Sequence, residues 1–424
     1  MRRIAVLGLG YIGLPTASMF ATHGYQVLGV DTNKTVIELL NSGGIHIEEP
    51  GLKTVVQAAI NSGNLSISSR LEPCDVFIIA VPTPITADKK ADLGYVISAA
   101  EAIAEVLKKG DLVVLEATSP PRTTVDVVLP ILERSGLQGG EDFLLVYSPE
   151  RVLPGKILHE LVHNSRVIGG INRESGEAGK RFYETFVEGE IRVTDATTAE
   201  MIKLMENTYR DVNIAVANEF SRLADQFGVN VWQAIEIANL HPRVTILNPG
   251  PGVGGHCISV DPWFFVEKAP DTARLIRQAR EVNDTQPAYV VELLGNQLGK
   301  LKGKKLAALG ITYKPDVDDI RESPAVAVVK KLLALGAEVK VFDPYVPPGD
   351  SGLDFMGEST QAVCDDASGL VLLVNHKEFR ELDPSLIGES MENRYLLDTR
   401  NMIDRVRWEQ AGFTVNILGD GQRE

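Results

Sequence analysis

The chain alternates short, wholly apolar runs with longer segments in which apolar positions recur every three or four residues, the pattern of parallel strands covered by helices. Ile4 to Leu7, Gln26 to Val30, Asp75 to Val81, Leu112 to Glu116 and Phe143 to Tyr147 read as strands buried on both faces, with an amphipathic helix over 94–108. The pattern then changes. From about Ala199 to Phe227 one long helix is predicted, capped by Thr194 or Asp195 and stopped at Gly228. Met201, Leu204, Thr208, Val212, Ala215, Phe220 and Leu223 approximate a single apolar stripe along it. Strands return at Leu306 to Ile311, Glu338 to Phe342, Gly369 to Val374 and Tyr395 to Asp398. A helix of roughly thirty residues spans ~45 Å and commonly bridges domains or pairs with its own copy, which points to a homodimer.

The first loops carry the signs of a cofactor. Gly8, Gly10 and Gly13, with Tyr11 and Ile12 between them in GLGYIG, follow the first strand and open a helix. The first two glycines permit a tight turn and the approach of a pyrophosphate, the third close helix packing, and the helix start offers free N–H groups. Alone, this motif is weak evidence. The second strand, however, ends in Asp31, eighteen residues after Gly13, where a carboxylate accepts the ribose hydroxyls of NAD and repels the extra phosphate of NADP. NAD is therefore the predicted cofactor, against the plainer reading of Asp31 as a strand-ending residue. The turns at Pro82 to Pro84 and Glu116 to Pro120 lie at strand carboxyl ends, where ligands of open α/β sheets bind. The expected fold is α/β: two Rossmann-like, doubly wound domains at 1–195 and 299–424, joined by a helical region at 196–298 that holds the long central helix.

Size and charge narrow the function. At 424 residues the chain is long enough for two or three domains, and a net charge of −15 argues against non-specific nucleic-acid or anionic-membrane partners. An anionic ligand needs its own local cations. No apolar run reaches the ~18 residues of a membrane span, and MRRIAVLGLGYIGLP reads as a strand start rather than a signal peptide. Cys74, Cys257 and Cys364 form neither a disulfide framework nor a CxxC pattern, and the histidines show no HExxH spacing. No metal is expected, and the odd cysteine count points to a reducing, cytoplasmic setting.

Residues 248–263 read NPGPGVGGHCISVDPW and place Cys257 behind a run of glycines and four residues ahead of Asp261. A thiol among polar groups in such a turn is a candidate nucleophile, although free cysteines are more often small buried hydrophobes. Lys203 and Asn207 share a face of the long helix, which by itself reads as a solvated face. Arg243, Lys314 and Arg321 are surface cations on the plain reading, and SPERVLPG, with Glu150 and Arg151, is a surface turn.

Four stretches change those readings. GGHCxxVDPWF, EMIKLMENTYRDVNIAVANE, SPERVLPG and K-x-x-x-x-D-x-R-E-S-P-A together resemble the UDP-glucose/GDP-mannose dehydrogenase family over nearly the whole chain. The resemblance implies an NAD-dependent, four-electron oxidation of a nucleotide-sugar C6 alcohol to a uronic acid, in which Cys257 attacks the sugar aldehyde and a thioester forms. It implies that Lys203 and Asn207 stabilise oxygen anions at the reacting carbon, that Asp261 and Lys203 handle protons, and that Glu150 and Thr118 position the hydrolytic water. By the same resemblance Thr83 and Thr118 lie near the nicotinamide, and Arg321 serves the cofactor. Arg151, Arg243, Gly254 and Lys314 contact the nucleotide sugar, Arg243 in some members from a neighbouring subunit. RQAREVNDTQP, by contrast, is expected to be structural. The cysteine loop is most similar to the branch that oxidises UDP-N-acetyl-D-mannosamine: Val260 replaces the lysine of the GGxCFxKD loop of the glucose enzymes, and the implied role is polysaccharide synthesis. UDP-N-acetylglucosamine is the alternative sugar. A two-electron hydroxy-acid dehydrogenase and a non-catalytic NAD-binding scaffold are the readings from other classes.

Overall fold

The uninterrupted apolar runs form strands with helices on both sides. A computed structural model describes residues 3–255, 257–349 and 352–421, and the chain divides into two units: Met1–Glu206 with Trp263–Pro270, and Asn207–Pro262 with Asp271–Glu424. Among the described residues, the first unit holds an eight-stranded sheet of β1 (Arg3–Leu7), β2 (Gln26–Val30), β3 (Leu65–Ser68), β4 (Val76–Ile79), β5 (Leu112–Leu115), β6 (Leu144–Tyr147), β7 (Arg166–Gly170) and β8 (Ile191–Asp195). The order is β3-β2-β1-β4-β5-β6-β7-β8, parallel throughout except where β6 meets β7. Ile4 and Val6 enter one core with Phe20 and Phe182, while Ala5 and Leu7 enter the other with Phe77 and Leu145. Both faces are therefore dry, and each fully buried Val, Leu or Ile contributes ~1.5–3 kcal/mol.

Chain order runs outward from β1 in both directions, through β2 on one side and β4 on the other, so the carboxyl end of β1 is the switch point where doubly wound sheets bind ligands. Strands β7 and β8 add an edge that the apolar pattern does not announce. β7 reads RVIGG, starting on a buried arginine and ending on two glycines, so its apolar run is only Val167 and Ile168.

The second unit has, among its described residues, a five-stranded parallel sheet: β9 (Lys305–Leu309), β10 (Glu338–Phe342), β11 (Gly369–Leu372), β12 (Tyr395–Asp398) and β13 (Thr414–Ile417), in the order β10-β9-β11-β12-β13. Its two cores again take alternate residues of one strand, Leu306 and Ala308 on one face and Ala307 and Leu309 on the other.

The long helix spans Ala196–Phe227, with Asp195 accepting the Thr198 amide at 2.9 Å. Its expected single stripe is in fact two. Leu204, Thr208 and Ala215 are buried, whereas Met201, Phe220 and Leu223 are exposed, together with Met205, Tyr209, Val216 and Phe227. The buried face continues through Asp211, Asn218, Ser221 and Asp225, at helical spacing but with polar side chains.

Those polar groups face the helix Arg274–Leu298, which contains the RQAREVND segment. Arg280 Nη1 donates to Asp211 Oδ1 at 2.5 Å, and Asn283 donates to the same oxygen at 2.8 Å. Arg222 donates to Gln286 and Thr285, and Tyr289 donates to Asp225. Both Arg280 and Asp211 are buried, so removing one partner strands a charge. Arg280→Ala is expected to cost about 3–5 kcal/mol, read as a lower urea midpoint. The double variant with Asp211→Ala should lose less than the sum of the two single changes.

Candidate active site

In the first unit the glycine turn sits at the switch point. Gly8 has φ +91°, and a Cβ on Gly13 would lie 1.8 Å from the Gly8 carbonyl oxygen, so neither position accepts a side chain without displacing backbone. A Cβ on Gly10 would meet nothing within 4 Å, which leaves open space over the start of the helix Gly13–Thr22. Tyr11 and Ile12 are half-buried beside it. Asp31 is tied at both oxygens: Oδ2 accepts the Leu9 amide at 2.9 Å and Oδ1 the Asn33 amide at 2.8 Å. The carboxylate thereby holds the turn as well as offering its remaining lone pairs. Past β4, the buried Thr83 hydroxyl has no hydrogen-bond partner among the described residues, and Thr118, past β5, is half-buried.

Glu150 follows β6, and both its oxygens are engaged: Oε1 accepts the Arg151 amide at 2.7 Å, and Oε2 accepts Arg166 at 2.5 Å. Arg151 is itself anchored, its guanidinium donating to Glu206 at 2.6 Å and to the Ser165 carbonyl. On the long helix, Glu200 is fully buried and accepts the Arg122 amide at 2.5 Å, the Thr124 amide at 2.7 Å and the Thr124 hydroxyl at 2.6 Å. Burial raises its pKa to about 7 in spite of those donors. Glu200 fixes the helix against the segment that follows Thr118. Lys203 stands one turn further on, 8% exposed and without an anionic partner among the described residues.

In the second unit Cys257 is half-buried, and its carbonyl accepts the amides of Val260 at 3.0 Å and Asp261 at 2.8 Å, a turn that leads into the helix Asp261–Lys268. Asp261 is buried in the first turn of that helix, where the dipole favours a carboxylate, and it accepts the Asn207 amide nitrogen. The Cys257 loop packs closely on the loop that carries Lys314 and Arg321. A Cβ on Gly254 would lie 2.6 Å from the Glu322 carbonyl oxygen, and one on Gly255, at φ +83°, would lie 2.9 Å from the Tyr313 ring. The Gly255 amide donates to the Arg321 carbonyl at 3.3 Å. The two loops thus pack backbone to backbone in one unit.

His376, fully buried, holds the cation loop from beneath. Its Nδ1 accepts the Asp316 amide at 3.0 Å, and its Nε2 lies 3.0 Å from Asp343 and 3.2 Å from the Thr312 hydroxyl, which donates to the Lys314 carbonyl. Asp316, His376 and Glu378 cluster within 4.8 Å, but both ring nitrogens of His376 are already engaged in holding the loop. Lys314 is half-buried, with its ammonium 5.8 Å from the Tyr313 ring, while Arg321 forks onto Asp319 at 2.6 and 2.9 Å. Arg243 is exposed, its amide capped by His241. Cys74 and Cys364 are buried, which pushes their thiols up to about 11 and about 12.

Sequence models of one family match the chain in three blocks: the NAD binding domain of the UDP-glucose/GDP-mannose dehydrogenase family over residues 2–187, its central domain over 197–285 and its UDP binding domain over 307–405. The chain belongs to this family. It is 50% identical over 431 residues to UDP-N-acetyl-D-mannosamine dehydrogenase of Methanococcus maripaludis, covering 99% of this chain and 98% of that one. It is 48% identical to NDP-N-acetyl-D-galactosaminuronic acid dehydrogenase of Ralstonia nicotianae, covering 95% and 96%. The solved UDP-D-ManNAc dehydrogenase of Pyrococcus horikoshii superposes with a TM-score of 0.92 at 44% identity, over 99% of each chain.

As in the family's first domain, the residues here fit NAD. The side-chain-free turn leaves room for a pyrophosphate, Asp31 closes the second strand beside that turn, and the Thr83 hydroxyl, unpartnered among the described residues, lies past the carboxyl end of the next strand in the sheet. Among the described residues no helix is long and apolar enough to cross a membrane. Glu116 and Glu200 lie inside stretches the motif reading quoted but received no role there, and Arg166 and His376 lie outside them, because the partners of all four are distant in sequence. Arg166, for example, meets Glu150 across 16 positions, and Glu200 meets Thr124 across 76. Asp31→Ala is expected to weaken NAD binding about 10- to 100-fold, the loss of charge-assisted hydrogen bonds, as measured by calorimetry.

Proposed function

We propose that the chain oxidises the C6 alcohol of UDP-N-acetyl-D-mannosamine to the uronate, with Cys257 as the covalent catalyst. The observation that supports the reading is the packing of the glycine backbone of the Cys257 loop against the loop that carries Lys314 and Arg321, cations of the kind suited to a nucleotide diphosphate. NAD, which the Gly8 to Gly13 turn and Asp31 would hold, would supply the hydride acceptor for each of the two oxidations. The Cys257 thiolate adds to the C6 aldehyde to give a thiohemiacetal, whose oxidation leaves a thioester. Hydrolysis of that thioester releases the acid and restores the thiol.

The remaining side chains divide the work. Asp261, directly or through water, and Lys203 handle the proton of the C6 hydroxyl. Lys203, a buried ammonium, and Asn207 stabilise the oxyanions at C6. Glu150 and Thr118 position the hydrolytic water. Lys314, Arg243, Arg151 and Gly254 contact the nucleotide sugar, and Arg321 serves the cofactor. The sugar is assigned from the relatives named above and from Val260, which stands where the glucose-type loop carries lysine. The proposed setting is the cytoplasm, with the product passing to polysaccharide synthesis.

A homodimer through the long helix completes the proposal. Tyr209 and Phe227 are 69% and 73% exposed on the second stripe, an apolar row that a second copy would cover. Light scattering at micromolar concentration should give twice the chain mass, and Tyr209→Glu with Phe220→Glu should give the monomer. A wild-type monomer would remove the dimer.

With UDP-N-acetyl-D-mannosamine as substrate, two NADH should form per uronate, and Cys257→Ala should bind NAD normally while making no acid. One NADH with free aldehyde would end the covalent scheme. Faster turnover of the gluco or galacto acetamido sugar would instead reassign the substrate.

A further inference from the structure

Beneath Glu150 lies a buried cluster to which the mechanism above gives no task. Arg166, on β7, donates from Nη2 to Glu150 at 2.5 Å and from Nη1 to the Ser148 hydroxyl at 2.9 Å. The same Nη1 is 3.5 Å from Glu116 Oε1, just past β5. Tyr183, at the end of the helix Arg173–Tyr183, donates its hydroxyl to that Oε1, and its ring lies 4.3 Å from the Arg166 guanidinium carbon. The Glu116 side chain is wholly buried, and among the described residues its Oε2 has no hydrogen-bond partner. One guanidinium thus stands between two carboxylates.

We infer that Glu116 is a positioning residue for the hydrolytic half of the reaction, competing with Glu150 for Arg166 and so setting how freely Glu150 turns to the water. The inference rests on the role proposed for Glu150. With one proton, the three charged groups sum to zero. Without it, a net negative charge is buried, which low-dielectric surroundings oppose.

The titratable groups facing Glu116 are Arg166 from β7, Glu150 from the loop after β6 and Tyr183 from the helix. Burial is the largest influence and raises Glu116 to about 7, with Arg166 opposing and Glu150 adding to the rise. Burial also holds the Tyr183 hydroxyl protonated. Below about pH 7 Glu116 is neutral, and Arg166 grips Glu150 alone. Above it Glu116 is ionised, Arg166 is shared, and Glu150 is released. Hydrolysis should therefore accelerate as pH rises through about 7.

Glu116→Gln preserves shape and is permanently neutral, so the variant should behave at every pH as wild type behaves in acid. At about pH 8.5 its kcat should fall roughly tenfold, with KM for sugar and NAD unchanged and a burst of NADH ahead of a slow steady state. At about pH 6 it should match wild type. Tyr183→Phe removes a donor that favours the charged form and should move the midpoint upward, a check that stands even if Glu116→Gln fails to fold. A folded Glu116→Gln with the wild-type pH profile, or an unmoved midpoint in Tyr183→Phe, overturns the inference. Glu150→Gln separates the two ideas. If it stalls hydrolysis while Glu116→Gln does not, only the present inference falls; if hydrolysis survives Glu150→Gln, the role of Glu150 falls with it.

Discussion

The buried ion pair between Asp211 and Arg280 is the constraint on which the second unit depends. Neither charge reaches water, so the long helix and the helix Arg274–Leu298 can meet only in the register that brings the two together. From that pair the hydrogen bonds run on in one direction. Asn283 donates to Asp211, Asn218 donates to Asn283, and the Gly250 amide donates to Asn218. Gly250 opens the glycine loop that ends at Cys257. Burial pushes the Asp211 carboxyl upward while Arg280 opposes that shift.

The same economy of side chains appears where two loops meet. In a protein with a net charge of −15, a diphosphate cannot rely on long-range attraction and needs cations held at close quarters. The glycines before Cys257 let backbone lie on backbone, and His376 keeps the cation loop in place by accepting an amide from it. A methyl group at Gly254 would push the loops apart at the Glu322 carbonyl.

Much of this was legible in the order of residues. Strands β1, β2, β4, β5 and β6 announce themselves as apolar runs because parallel strands are dry on both faces, and the glycine fingerprint gains meaning from the Asp31 that closes β2. The long helix was visible too, but not its two faces. Periodicity finds positions that share a side, yet here the side facing the second helix carries Asp211, Asn218, Ser221 and Asp225, and the apolar row faces outward. A polar interior satisfied by a partner some sixty to seventy residues away has no local signature. β7 was hidden for a related reason. Its first residue, Arg166, is buried because Glu150 and Glu116 neutralise it, and between that charge and the two closing glycines only Val167 and Ile168 carry an apolar signal.

The two buried cysteines carry a consequence for handling the protein. Cys74 and Cys364 are shielded and keep their protons at neutral pH, since burial has moved them to about 11 and about 12. Thiol-directed electrophiles act on thiolate that they can reach, so in the folded chain they meet one thiol, that of Cys257. The chain is, to a labelling reagent, a single-thiol protein. A fluorophore, a spin label or a reversible disulfide would therefore mark one position without any cysteine being removed.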